Sequence, residues 1–137
     1  MMSWLINALI ATFLFGIWGF LSKLATISIN SLSVFLFQML GGVFVTLLAV
    51  GLSDIKIQYE WQGGSYGFLV GVTGMLATLF FTEAISQGSA SIVSVITALS
   101  PVFTIGLAFV FLKESLSLLQ GIGVILGLIS IILLSLG

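Results

Sequence analysis

"WQGGSYGFLVGVTGMLATLFFTEAISQG", residues 61–88, decides how the chain is read. From Trp61 to Thr82 it carries no charge; one carboxylate, Glu83, follows, and the next charge is Lys113. A bilayer core is spanned by about 20 mostly apolar residues in a helix, and this stretch supplies them. The whole chain agrees: of 137 residues 60% are hydrophobic and 5% charged, with a mean hydropathy of +1.38. A soluble domain carries about a quarter charged residues. This chain has too few to cover its surface in water, so its solvent is lipid.

Four further apolar runs flank that one. The sequence predicts an all-α integral membrane protein, a single bundle of five transmembrane helices over about residues 4–24, 33–52, 65–86, 92–112 and 118–136. The first run lacks a positive leading segment and continues to Leu24, too long for the apolar part of a signal peptide; it reads as a retained helix. Short connections join the runs. The only properly hydrophilic one, "SDIKIQYEWQGG", carries Asp54, Lys56 and Glu60, with Trp61 and Tyr66 where an interfacial aromatic belt belongs. An odd helix count places the termini on opposite sides. Lys56 and Lys113 then fall on the N-terminal side and Lys23 on the other. That bias weakly favours an internal N-terminus, and so weak a bias also suits insertion in both orientations.

Composition excludes several functions. The formal net charge is −1, with no His and no basic patch, so phosphate-neutralising nucleic-acid binding is not expected. Without Cys or His there is no disulfide framework and no Cys- or His-ligated metal site, and no cofactor is expected. No paired carboxylates are placed for general acid–base work, so an enzyme is not expected.

Small and polar residues mark faces. Gly64, Gly67, Gly71 and Gly74 recur every three or four residues along the third run, and Gly123 and Gly127 form a GxxxG in the fifth, flanked by Gln120 and Ser130. Such spacing lets membrane helices approach closely, within one bundle or across a dimer. In the fourth run Ser94, Thr97, Pro101 and Thr104 share a stripe. Pro101 withholds an amide from the carbonyl of Thr97, which makes a static kink, a hinge or a ligand wall. Gln38 in the second run calls for a partner helix, as an amide in lipid must be satisfied.

Glu83 lies on one stripe with Leu76, Leu79, Phe80 and Gln87, nearly opposite Gly74. An ionisable group within a membrane span is a functional candidate by default. It suits taking and releasing protons or holding a cation; the bland readings are snorkelling to the interface or pairing with Lys23.

The residues 80–134, "FFTEAISQGSASIVSVITALSPVFTIGLAFVFLKESLSLLQGIGVILGLISIILL", resemble the C-terminal half of an EamA repeat, the unit of the drug/metabolite transporter superfamily. The marks are "AISQGSAS", the proline in "LSPVFT", the acid in "LKES" and "LSLLQGIGVIL"; "FGIWGFLSKLA" (residues 15–25) is similar to that repeat's first helix. The resemblance implies a five-helix repeat, and a transporter moving a small organic metabolite or drug-like solute by alternating access. Most members carry two inverted repeats, with the site between them. A single repeat then implies a homodimer, with two copies in opposite orientations as one arrangement, in the cell (plasma or inner) membrane. The pathway expected on this reading lies between protomers. Ser94, Thr97 and Thr104 would offer hydrogen bonds, Trp18 and Phe80 apolar walls, Pro101 bending, and Glu83 the ionisable group. Glu114 matches the family's acid after helix four; the position of Glu83 is usually not acidic there, so the resemblance gives Glu83 no role. The alternative is a non-transporting membrane partner or assembly factor for another EamA-type chain.

Overall fold

The computed structural model describes residues 3–53, 57, 58 and 60–136. Asp54 and Lys56, which enter the charge count above, lie outside the described residues, and so does the side chain of Gln120. What is described is helix and connection, with no strand. The elements are α1 (Ser3–Ser28), α2 (Ser31–Leu52), α3 (Trp61–Gln87), α4 (Ala90–Thr97), α5 (Ser100–Leu107), a π-helical turn (Ala108–Leu112) and α6 (Leu118–Leu136). Helices α1, α2 and α3 and the broken span Ala90–Leu112 are each long and apolar enough to cross a membrane, and α6 contains a shorter apolar stretch, Gly121–Leu133. This is an all-α membrane protein of about five helices.

Local chemistry sets the helix ends. Asn30 caps α2, its side-chain oxygen accepting from the amide of Ser33 at 2.8 Å, which meets one of the donors a helix start leaves unpaired. The Glu60 carboxylate does the same for Gly63 at 2.8 Å, so α3 begins at Trp61, ahead of its apolar run. Helix α1 runs on through "LATIS" to Ser28, with the Thr26 hydroxyl donating to the Lys23 carbonyl at 2.9 Å. At 1.5 Å per residue the 27 residues of α3 measure about 40 Å, against about 30 Å of hydrocarbon. The helix is therefore longer than the hydrocarbon, and at least one of its ends reaches the headgroup level.

The fourth run is not one helix. Two residues, Ala98 and Leu99, form a turn between α4 and α5, closed by short bonds from Leu99 N to Ile96 O (3.1 Å) and from Val102 N to Leu99 O (3.0 Å). Pro101, in the first turn of α5, lacks the amide that would bond Thr97. The π-helical turn follows, ending on Lys113 at φ 52, ψ 30. Lys113 is the one non-glycine residue of positive φ among the described residues.

The chain divides into two compact units, residues 1–87 and 88–137. In the first, α3 packs against both α1 and α2. Its buried residues are Gly19, Ser22, Val34, Thr82 and Ile85, all towards the α1–α2 connection. In the second unit α4 packs against α6. The glycine stripes stay open: a Cβ built on Gly67, Gly71, Gly74, Gly123 or Gly127 meets nothing within 4 Å.

Candidate functional site

Three polar residues of the first unit, Ser22, Gln38 and Thr82, meet where its three helices close on one another. Gln38 of α2 bridges the bundle. Its Nε2 donates to Ser22 Oγ of α1 at 3.1 Å, and its Oε1 accepts from Thr82 Oγ1 of α3 at 3.3 Å. The hydroxyls also bond within their own helices, Ser22 to the Trp18 carbonyl and Thr82 to the Thr78 carbonyl, each at 2.8 Å. Lipid tails are as apolar as leucine, so membrane helices gain little hydrophobic drive towards one another and rely on such bonds and on close packing. Trp18 adds to the packing by stacking on Phe81, ring centroids 4.6 Å apart.

Nearer the helix ends is a second layer. Lys23 Nζ donates to the Ile85 carbonyl at 2.9 Å, a cation placed on the last turn of α3 where the helix dipole favours one. Ser31 Oγ donates to Glu83 Oε2, and Gln87 Nε2 donates to Glu83 Oε1 at 2.6 Å. Glu83 thus ties the start of α2 to the end of α3. It is exposed, about 6 Å of helix rise from the last residue of α3, close to the membrane boundary. Its two donors replace water bonds that a carboxylate would otherwise lose there.

Between α2 and α3, below Gln38, runs an apolar groove of about 350 Å³ whose lining includes Gln38, Met39, Gly42, Val43, Gly71 and Met75. Of the residues singled out from the sequence for the pathway, none is among its lining residues.

Those residues are distributed as follows. Trp18 is half-buried against Phe81, while Phe80 stays 70% exposed. Ser94 and Thr97 are in α4, Pro101 and Thr104 in α5, and all four are exposed. The Thr97 hydroxyl donates to the Val93 and Ser94 carbonyls at 3.0 and 3.1 Å, and that of Thr104 to the Ser100 carbonyl at 3.4 Å. With their protons so engaged, these hydroxyls face a ligand chiefly as acceptors. Sequence reasoning missed Ser22, Ser31, Thr82 and Ile85 as partners, whereas helical spacing aligns Gln87 with Glu83 on one face. The only signal was their position, Ser22 and Thr82 each standing next to a charged residue. Among the described residues no group of His, Cys, Asp and Glu is arranged to hold a metal.

The family model of the EamA-like transporters matches residues 2–136. The chain belongs to that family. The EamA family is one of membrane transporters, not enzymes, and its helices are multi-pass and in contact with the bilayer. Along nearly its whole length this EamA chain is also similar to an uncharacterised protein of Methanocaldococcus jannaschii, 30% identical over 131 residues, which is 96% of this chain and 94% of that protein. No solved structure matches it.

Proposed function

We propose that the chain is a transporter subunit that moves a small organic metabolite or drug-like solute by alternating access, as a homodimer of two copies in opposite orientations. The observation that carries this reading is the extent of the match: the EamA-like transporter family spans residues 2–136, across all the helices described. Transporters built on inverted repeats place the substrate at the interface of the two halves, and one repeat offers one half. The open glycine faces support the same reading. Gly67, Gly71 and Gly74, with Gly123 and Gly127, have room for another backbone that their own unit does not fill.

On this reading the pathway lies between protomers, with Trp18 and Phe80 as apolar walls, Ser94 offering a hydrogen-bonding hydroxyl, and Thr97 and Thr104 serving as hydrogen-bond acceptors. The break at Ala98–Leu99, reinforced by Pro101, is where the span bends during the access change. Glu83 is its ionisable group.

The test uses the purified chain alone. It should run as a dimer in detergent, and C-terminal reporters should label both sides of the membrane. Reconstituted in liposomes, it should catalyse saturable uptake of a solute found by thermal-shift screening of amino acids, amines and nucleosides. A monomer inert towards every solute would overturn the proposal in favour of a non-transporting partner for another EamA-type chain.

A further inference from the structure

The two groups that hold the Glu83 carboxylate, Ser31 Oγ and Gln87 Nε2, are both neutral. They fix its direction without cancelling its charge. Lys23, the lysine that reaches α3, is turned to the Ile85 carbonyl. An oriented carboxylate held by neutral donors at a membrane boundary is complementary to a cation that arrives from elsewhere.

What surrounds it narrows the kind of cation. Leu76, Phe80, Glu83 and Gln87 follow one another at helical spacing along a single stripe of α3. Leu76 is 50% and Phe80 70% exposed. Leu76 lies about 16 Å of helix rise from Gln87, deep in the span, whereas Glu83 lies near its end. Ordered from the membrane interior outwards, the stripe is aliphatic, aromatic, then anionic. A bare metal ion has no use for the first two groups. An ammonium group carrying an apolar body uses all three. Its charge meets the carboxylate, the Phe80 ring one turn away offers the π-face that attracts cations within about 6 Å, and its body lies along Leu76.

We propose that the Leu76–Phe80–Glu83 stripe is a binding site for an organic ammonium ion with an apolar body, taken up as a free amphiphilic amine. Taking that ligand as cargo rests on the transporter reading; the binding does not. Ser31 and Gln87 are positioning residues that aim the carboxylate.

The probe is 2-phenylethylammonium, with 2-phenylethanol as its neutral counterpart, titrated calorimetrically into the protein in dodecyl maltoside micelles. The amine should bind saturably and the alcohol should not. Glu83→Gln should weaken the amine by about tenfold or more, while Glu83→Asp keeps the preference for amine over alcohol at lower affinity and serves if the amide variant does not fold. Equal binding of amine and alcohol, or amine binding unchanged in Glu83→Gln, overturns the proposal. So does displacement of the amine by phosphatidylethanolamine added to the micelles, which would make a lipid headgroup the occupant. Liposome uptake separates the two levels: amine binding without transport of any solute upholds the site and sinks the transporter reading, whereas transport without amine binding does the reverse.

Discussion

Lys23 Nζ sits 2.9 Å from the carbonyl oxygen of Ile85, joining the last turns of α1 and α3. Ile85 is itself fully buried, so the ammonium meets a carbonyl held firmly by packing. Lys23→Met keeps the stem and removes the charge. Hydrogen bonds to charged groups contribute about 1.5–3 kcal/mol, and a loss of about that size is expected in detergent unfolding. If Lys23→Met unfolds like the wild type, the bond contributes nothing to the unit.

Gln38 bridges three helices but should matter less than its position suggests. Both hydroxyls it touches already have backbone partners in their own helices, and interhelical hydrogen bonds in membranes average about 0.6 kcal/mol. Gln38→Leu is therefore expected to cost about 1 kcal/mol, measured by the same unfolding assay. A loss of several kcal/mol would mean that the amide carries more than the two bonds described.

Gly71 distinguishes packing within the unit from packing between copies. A Cβ there meets nothing within 4 Å, so Gly71→Ala should leave the unfolding midpoint of the monomer nearly unchanged. If the stripe faces a second copy, the substitution should lower the dimer fraction seen by cross-linking in liposomes. A dimer fraction equal to that of the wild type takes the stripe out of the interface.

Pro101 separates stability from motion. Pro101→Ala returns an amide to the Thr97 carbonyl and lets α4 continue towards α5. The expected result is a higher unfolding temperature with a lower maximal uptake rate and an unchanged KM. Uptake as fast as wild type would show that the break at Ala98–Leu99 is not where the span bends.

The reading of five spans from the sequence succeeded because hydropathy is a local property, and lipid demands it residue by residue. Pro101 was legible for the same reason, as its missing amide acts on its own helix. The ends of α1 and α3 were less so: α1 runs past its apolar stretch to Ser28, and Glu60 starts α3 early through a single side-chain bond that hydropathy does not register. Gln87 was legible as a neighbour of Glu83 on one helix face, but the partners on other helices, Ser31 for Glu83 and Ser22 and Thr82 for Gln38, were hidden. Ser31 is 52 residues from Glu83 and Thr82 44 from Gln38, and nothing in the spacing along one helix tells which face of another it will meet. Gln38 was nonetheless identifiable as interhelical, since an amide at that depth has few alternatives.

The burial of Gly19, Ser22, Val34, Thr82 and Ile85 near one end of the first unit makes that unit mechanically lopsided. It is stiff at the leaflet that holds the α1–α2 connection and compliant at the other, where the described residues of its helices are exposed. Amide hydrogen exchange should then be slow at one face of the bilayer and fast at the opposite one. Changes of lateral pressure confined to the compliant leaflet would move these helices, while the same changes in the stiff leaflet would not.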